Sequence, residues 1–588
     1  MLMSLSTYIL GLFALALTVQ AAPAETTALK CRCLSSNPSC WPSPATFAAF
    51  NSTVDGGLTA ISPPGKVCYP GPHFNEAACN TARVNSTNPY YRGDLIGATM
   101  YQKNQGDAIG VDVCPVYPTP NGACRQGKVS VIGVDARTVA HVQKAVKFAA
   151  DRNLRLAVKN TGHDQTGRSS AAGSFLLWTH NLRGITFTDS FATSSCPAQR
   201  QVPAVTLAAG EQFGNVYREA EKRGLVVVGG AAQTVGAVGG FLQGGGHGPL
   251  TRSYGMASDQ VLEFQVVMAD GTLKTANPCI NPDLFWALRG GGGGTFGVVT
   301  SVTVKTYPTP KTALALYGIT TKVPGDVAAA KALISNFINI QPEFEAQGTS
   351  GYIGFSLGGI QMQIFQPNGT EATIAAAMKP ILDHATLDKY NVTGGQGAFP
   401  TFFTAFDAAG CITNPGLCTE RVGTNSAIAS RLIPTAQFST QTGKDALANT
   451  IFGMLDAGAK FMLTHLVTGG AIAKIPVHDS AVLPAWRNSL WHLLIGNGWT
   501  ANATAPEIAA NRAASTSQAQ LMRNLAPASG AYINEADAKE PNFQQAFWGN
   551  NYPRLFKIKN TVDPKGLFYC KLCVGSEKWS ADGNCRLY

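Results

Sequence analysis

Apolar residues in the central part of the chain follow two spacings, one typical of helices and one typical of strands. Residues at helical spacing lie on one face of a predicted helix (Val139, Val142, Val146 and Ala149). An alternating run then predicts a strand (Leu154, Leu156 and Val158). That strand leads into a polar turn at 159–164 with one glycine and one histidine. The exposed backbone N–H groups of such a turn suit an anion such as a diphosphate.

The same patterning predicts two successive α+β domains. The first, at 125–308, has predicted strands at 204–209, 225–228, 261–268 and 298–304, a helix at 211–223 and a hairpin turn at Asp270-Gly271. The second, at 309–525, has predicted strands at 351–357, 361–365, 461–466 and 489–495 and helices at 327–340 and 511–525. A cysteine-rich and proline-rich extension at 22–124 precedes these domains, and a segment dense in polar and aromatic residues follows at 526–588.

Three glycine-rich loops lie within the first predicted domain, at 234–240, 244–248 and 290–297. Glycine allows a backbone to approach a ligand closely and to adopt positive φ. Three such loops in one domain predict a large, elongated ligand that lies along the main chain. None of them matches the P-loop or the dinucleotide fingerprint G-x-G-x-x-G, so a nucleotide would be bound in another way.

Composition and the first residues indicate an exported protein. The chain has 588 residues and a net charge of +10 without a Lys/Arg cluster, which argues against a nucleic-acid partner. The apolar segment within 1–21 fits a secretory signal peptide, and no later apolar stretch is long enough to span a membrane. We therefore expect a secreted protein with no membrane contact after cleavage, glycosylated at Asn-x-Ser/Thr sequons (Asn51, Asn85, Asn368, Asn391 and Asn502).

The fourteen cysteines predict disulfides and a meeting of the chain ends. Seven of them precede residue 125 and three follow residue 569. If the four between pair among themselves, the two ends must share at least one bridge. Cys570-x-x-Cys573 has a metal or redox alternative, but a disulfide is favoured in a secreted chain. The histidines show no H-x-x-x-H or H-E-x-x-H pattern, so no metal site is predicted.

Several motifs in one order give the chain a family resemblance. They are the segments 159–164, 234–236, 244–248 and 254–259, followed by Asn551, Arg554-Leu555 and Asp563-Pro564. Over 126–307 and 531–568 the chain resembles the berberine-bridge-enzyme-like branch of the vanillyl-alcohol-oxidase superfamily. Cys31-x-Cys33 and Cys40-Trp41-Pro42 are further similar to fungal isoamyl-alcohol-oxidase-like members. The resemblance implies an α+β fold: a two-part PCMH-type FAD-binding domain, a substrate domain with an antiparallel sheet, and a C-terminal berberine-bridge segment that returns to the FAD domain.

The resemblance also implies an FAD cofactor. Its expected contacts are Asn160, Thr161, Gly162, His163, Asp164, Thr234, Gly236, Gly240, Gly245, Gly246, His247, Asp259, Gly297, Val299 and Asn551. His163 stands at the position of the covalent 8α-histidyl bond. Ala232 lies where many relatives have a cysteine for a second bond, so a link through His163 only is expected.

The activity that the resemblance implies is oxidation of an alcohol of a small organic substrate, with reduction of O2 to H2O2. The catalytic candidates are Tyr532, Asn534 and His492. As a base, Tyr532 would need a pKa below its ordinary ~10, or a nearby partner. The alternatives are that Tyr532 is a core aromatic residue, that His492 is satisfied within its sheet, and that His247 packs beside the glycines instead of facing the flavin.

Two other functions stay open on the sequence. An oxidative cyclase or desaturase of specialised metabolism would use the same fold, and no motif separates it from an alcohol oxidase. A non-catalytic binding protein that has kept the fold is the third possibility, against which the intact His163 argues. Substrate identity, disulfide connectivity and oligomeric state do not follow from the sequence.

Overall fold

The computed structural model describes residues 31–106, 114–118, 122–410, 422–500 and 503–587. The predicted signal peptide lies outside these residues. The strands, in chain order, are β1 (Leu58–Ala60), β2 (Ile132–Asp135), β3 (Leu156–Lys159), β4 (Phe175–Trp178), β5 (Ile185–Phe191), β6 (Val202–Ala208), β7 (Leu225–Val226), β8 (Val261–Val267), β9 (Leu273–Ala276), β10 (Val298–Lys305), β11 (Tyr307–Pro308), β12 (Thr312–Thr321), β13 (Ser350–Ser356), β14 (Gly359–Pro367), β15 (Tyr390–Phe399), β16 (Asn425–Pro434), β17 (Phe461–Leu466) and β18 (Ser489–Trp499).

The helices run along the same order and include most of those that the patterning predicts. They are α1 (Pro44–Thr53), α2 (Glu76–Val84), α3 (Pro89–Gly93), α4 (Val139–Asp151), α5 (Phe213–Glu221), α6 (Gly240–Gln243), α7 (Thr251–Tyr254), α8 (Pro282–Leu288), α9 (Val327–Asn339), α10 (Gln341–Ala346), α11 (Glu371–His384), α12 (Phe402–Ala408), α13 (Gln441–Asp456), α14 (Ala505–Leu525), α15 (Phe543–Trp548) and α16 (Tyr552–Val562). Among the described residues, none of these helices is both long and apolar enough to cross a bilayer.

The part of the chain before β12 forms two sheets. The first has the order β1-β2-β4-β3, in which β4 pairs in parallel with β2 and β3, and β1 from the N-terminal extension adds an antiparallel edge. β4 is buried on both faces. The predicted apolar face of α4, including Val142 and Val146, packs in one cluster with Phe175 and Leu177, whereas Leu176 and Trp178 belong to a separate cluster. The second sheet is antiparallel, with the order β5-β6-β10-β8-β9. This is the expected two-part arrangement.

The larger sheet that follows is antiparallel, with the order β15-β12-β14-β13-β17-β18-β16. Successive strand residues point to opposite faces. In β13, Ile353 packs among the helices of one face, while Tyr352 points into a cavity on the other face. Leu463 and His465 of β17 line the same cavity. The sheet therefore covers this cavity from one side.

The C-terminal segment returns to the first part of the chain. Trp548 donates a hydrogen bond from Nε1 to the Gly290 carbonyl at 3.1 Å, and Lys559 donates from Nζ to the Thr295 carbonyl at 2.7 Å. The acceptors belong to the third glycine-rich loop. This contact holds that loop in place and confirms the expected return of the segment.

The chain ends meet through a disulfide between Cys31 and Cys585, as predicted. Cys570 and Cys573 are also bonded to each other, so the structure favours the disulfide over the metal alternative for this pair. The other bridges in the described residues join Cys33–Cys40, Cys68–Cys79, Cys114–Cys124 and Cys196–Cys279. Cys411 and Cys418, which the sequence would pair within the middle group, lie outside the described residues.

Candidate active site

A cavity of about 510 Å³ lies between the glycine-rich loops, the inner face of the large sheet and the C-terminal segment. Many of the predicted site residues line it: Asn160, Thr161, Gly162, His163, Asp164, Gly236, Gly240, His247, Gly297, Val299, Tyr532 and Asn534. These residues come from sequence segments almost 400 positions apart, and the fold brings them into one space. The cavity is therefore the candidate active site.

One end of the cavity is built by the turn after β3. Gly162 has φ of +83°, and its carbonyl accepts a hydrogen bond from the Met100 N–H at 3.0 Å. Asp164 closes the turn, because its Oδ1 accepts from the backbone N–H groups of Thr166 at 2.9 Å and Arg168 at 2.7 Å. Its Oδ2 lies 3.1 Å from Nη1 of Arg168. Asp164 thus organises the loop that presents His163.

The second glycine-rich loop packs directly against this turn. His163 Nε2 lies 2.7 Å from Oγ1 of Thr234, so Thr234 orients the imidazole without lining the cavity itself. A Cβ atom at Gly236 would lie 2.2 Å from Nδ2 of Asn160, so only glycine fits there. A Cβ at Gly240 would meet no atom within 4 Å. The main chain is therefore open to the cavity at this point, which fits a long ligand laid along it.

Four other predicted cofactor contacts lie outside the cavity lining. Gly245 and Gly246 have φ of +116° and +74° and shape the loop that carries His247. Asp259 forms a buried bidentate ion pair with Arg487, at 2.7 and 2.8 Å. Asn551 donates from Nδ2 to the Val482 carbonyl at 3.0 Å. These four residues lie outside the cavity lining, and their contact with a cofactor stays a prediction.

Tyr532 and Asn534 line the cavity from the C-terminal segment. Asn534 donates from Nδ2 to the Tyr532 hydroxyl at 2.8 Å and to the Gly240 carbonyl at 2.9 Å. Burial raises the pKa of Tyr532 well above its ordinary value, and the nearby Glu535 carboxylate raises it further. The Asn534 amide opposes this shift without reversing it. The base hypothesis required a lowered pKa or a nearby partner: the pKa is raised, and Asn534 is the partner. The role of Tyr532 as the base stays a prediction.

Beside Tyr532, three histidines surround one carboxylate. We call His247, His465, His492 and Glu535 the His–Glu cluster. Oε2 of Glu535 lies 3.2 Å from His247 Nε2, 3.8 Å from His465 Nδ1 and 3.6 Å from His492 Nδ1. The two Nδ1 atoms of His465 and His492 are 3.1 Å apart. His247 thus faces the cavity, and the His492 Nε2 atom is buried with no hydrogen-bond partner among the described residues.

The burial of this cluster fixes its charge state. Burial lowers the pKa of His465 to about 4, although Glu535 opposes the shift. It lowers the pKa of His492 further, and the neighbouring His465 adds to the effect. For Glu535, burial alone would raise the pKa, but its three histidine partners, His247 above all, lower it well below its ordinary value. Near neutral pH the cluster therefore holds the Glu535 carboxylate beside the neutral imidazoles of His465 and His492.

Two members of the His–Glu cluster were not predicted as site residues from the sequence. His465 lies in a correctly predicted strand, and Glu535 follows the Tyr-x-Asn motif directly, but neither has a distinctive spacing.

Tyr352 is another residue of the site that the sequence did not predict. Its hydroxyl is buried beside the cavity without a hydrogen-bond partner among the described residues, and its ring lies 5.0 Å from that of His465. It is thus available to a bound ligand.

Known proteins are similar to this chain in both sequence and fold. Residues 132–277 match the FAD binding domain model, and residues 531–575 match the model for berberine and berberine-like proteins. An uncharacterized FAD-linked oxidoreductase of Arthroderma benhamiae is 36% identical over 577 residues, covering 95% of this chain and 96% of the relative.

Two solved structures extend the comparison. The VAO-type flavoprotein MtVAO615 from Myceliophthora thermophila C1 has a TM-score of 0.86 at 28% identity, covering 95% of this chain and all (100%) of that one. The glucooligosaccharide oxidase of Acremonium strictum, whose FAD is described as 6-S-cysteinyl and 8α-N1-histidyl, shares the fold with a TM-score of 0.66 at 18% identity, covering 85% of this chain and 99% of that one.

The cavity, its glycine-rich walls and these similarities define an FAD-dependent oxidoreductase. Its fold is that of VAO-type flavoproteins with a berberine-bridge-like C-terminal segment. The chain belongs to the family of FAD-linked oxidoreductases represented by the Arthroderma relative.

Proposed function

We propose that this protein is an exported oxidase that carries FAD bound covalently through His163 alone and oxidises an alcohol of a small organic substrate, with O2 as the acceptor. The observation that carries the proposal is that His163, the glycine-rich loops and three members of the His–Glu cluster (His247, His465 and Glu535) line the same cavity. When bound, FAD would supply hydride acceptance and reoxidation by O2. The chain supplies the tether, the orientation and the proton acceptor.

The tether follows from the surroundings of His163. Because Thr234 engages the Nε2 atom, we propose Nδ1 as the atom that bonds the flavin. Ala232 lines the cavity at the position where a second, cysteinyl bond would form. The cysteines of the described residues are bonded in disulfides, so this part of the chain offers no thiol for such a bond.

The proton acceptor that we propose is Glu535 with its hydrogen-bonded His247. Glu535 lines the cavity and keeps its negative charge, whereas burial keeps Tyr532 protonated. Tyr352 would then position the substrate oxygen through its unpartnered hydroxyl. A substrate hydroxyl placed between Tyr352 and Glu535 would lose its proton to the carboxylate as its carbon loses hydride.

Export is part of the proposal. Disulfides persist in oxidising compartments, and the described residues hold several of them, including the bridge between the chain ends. The sequons at Asn368 and Asn391 are exposed, so both are accessible to glycosylation. Mass spectrometry of protein secreted by a fungal host should show an N-terminus near residue 22 and glycans on both asparagines. An intact N-terminus on intracellular, unglycosylated protein would contradict this part.

The covalent flavin is tested by acid precipitation of the purified protein. Flavin absorbance should stay with the wild-type precipitate and move to the supernatant for His163→Ala. Thr234→Val is the matched control, since it removes only the hydrogen bond to His163 and should keep part of the covalent flavin. Flavin released from wild-type protein would refute the tether.

The reaction is tested separately on the holoprotein. A panel of primary and secondary alcohols is mixed with it under anaerobic conditions, and flavin bleaching is recorded. Admission of O2 should restore the absorbance and release one H2O2 for each alcohol oxidised. Bleaching that only an artificial dye reverses would indicate a dehydrogenase, and a cyclised or desaturated product would favour the cyclase alternative.

A further inference from the structure

The His–Glu cluster has the composition and spacing of a metal site. Each of its four side chains offers one donor atom, and these four atoms lie within 4.8 Å of one another. The donors are three imidazole nitrogens and one carboxylate oxygen. His247, His465 and His492 are buried, with 6%, 5% and 0% of their surface exposed.

Four of the six separations between the donor atoms are close to the edge length of a small coordination tetrahedron. Metal–ligand bonds of about 2.0–2.1 Å place tetrahedral donors about 3.3–3.4 Å apart. Four of the six separations are 3.1, 3.2, 3.6 and 3.8 Å. A cation at the centre would therefore require shifts of only a few tenths of an ångström along these edges.

Hydrogen bonds within the protein do not satisfy all four of these metal-binding atoms at once. Only one proton can lie between the Nδ1 atoms of His465 and His492, and both atoms also face the same Glu535 oxygen. A cation would engage all four inward-facing donors at once.

We propose that the His–Glu cluster is a binding site for a divalent transition metal, for which Zn²⁺ is the best match. Mg²⁺ and Ca²⁺ prefer shells made of oxygen, whereas imidazole-rich shells select Zn²⁺ and its neighbours. The single carboxylate offsets one of the two positive charges.

Metal binding would block the proton acceptor. Four protein ligands fill a tetrahedral shell and leave no open position for substrate. With Glu535 and His247 on the metal, neither could take the substrate proton. This consequence rests on the proposed function. It predicts that Zn²⁺ slows substrate-driven flavin reduction and that removal of Zn²⁺ restores the rate.

Binding is tested on the holoprotein after chelator treatment and buffer exchange. Titration calorimetry with Zn²⁺ should show one site per chain, and Co²⁺ should give the visible d–d absorption of four-coordinate cobalt. His465→Ala and Glu535→Gln should each weaken binding at least about 100-fold, since even loss of an outer-shell partner costs 10–100-fold. His478→Ala, at an exposed histidine outside the cluster, should bind like wild type.

The outcomes separate the metal site from the oxidase proposal. Absence of stoichiometric binding in wild-type protein, or equal binding by both cluster variants, would overturn the metal site. Binding with unchanged anaerobic flavin bleaching would overturn the blockade alone. Holoprotein that no alcohol bleaches, even after chelation, would refute the proposed oxidase, and the calorimetric result would stand independently of it.

Discussion

The ion pair between Asp259 and Arg487 offers a sharp test, because sequence motif and structure give Asp259 different roles. The motif 254–259 suggested a cofactor contact. The structure shows two N–H···O contacts of 2.7 and 2.8 Å to Arg487, with both side chains only 3% exposed. Asp259 also accepts the Met256 N–H at 2.9 Å. The pair joins the turn before β8 to the segment before β18, so it links the two halves of the molecule.

Asp259→Asn keeps the shape of the side chain and removes its charge. Arg487 would then be a buried cation without its partner, for which the expected cost is about 3–5 kcal/mol of unfolding free energy. The covalent flavin content should not change, since Asp259 does not line the cavity. Urea unfolding followed by tryptophan fluorescence gives the stability, and absorbance of the acid-precipitated protein gives the flavin.

Two further variants control this experiment. Asp283→Asn removes the same charge from an exposed pair with Arg554 at 2.7 Å, and it should cost less than about 1 kcal/mol. The double variant Asp259→Asn/Arg487→Gln leaves no unpaired charge and should cost less than the sum of the single changes. A loss below about 1 kcal/mol for Asp259→Asn would refute the buried-pair argument. Loss of flavin at unchanged stability would restore the cofactor role.

Three further changes have defined expectations. Gly236→Ala places a methyl group 2.2 Å from the Asn160 amide and should abolish flavin incorporation, measured as flavin per protein. Tyr532→Phe should slow anaerobic flavin reduction less than about 10-fold, because Glu535 is the proposed proton acceptor and loss of a general base costs about 10²–10⁴-fold. A loss in that range would identify Tyr532 as the base. Cys31→Ser/Cys585→Ser opens a bridge between residues 554 positions apart and should cost about 2–5 kcal/mol, read from the urea midpoint.

Periodic patterns predicted the secondary structure well because burial imposes them locally. The apolar spacing at 139–149 became α4, and the predicted strand at 461–466 matches β17. Counting cysteines located the meeting of the chain ends for a topological reason, since an odd number at each end forces a shared bridge. These inferences need no knowledge of which surfaces face each other across the core.

Some residues of the motifs line the cavity and others do not. His163 and Gly236 line the cavity, whereas Asp259 and Asn551 lie behind it and bond to neighbouring protein groups. A motif marks residues needed for a loop to form as well as residues that touch the ligand. The sequence contains no signal that separates these two reasons, because the difference lies in which way each side chain points.

The His–Glu cluster could not be predicted because it depends on strand register and on long-range packing. His465 and His492 are directly opposite partners in the antiparallel pair of β17 and β18. A shift of one residue in that register would turn one imidazole to the helix-covered face, since strand side chains alternate. His247 and Glu535 then reach the pair from a glycine-rich loop and from the C-terminal segment, 288 residues apart. The spacing of the histidines in the sequence predicted no metal site. The group of three histidines and one carboxylate thus forms only where the two halves of the molecule meet the C-terminal segment.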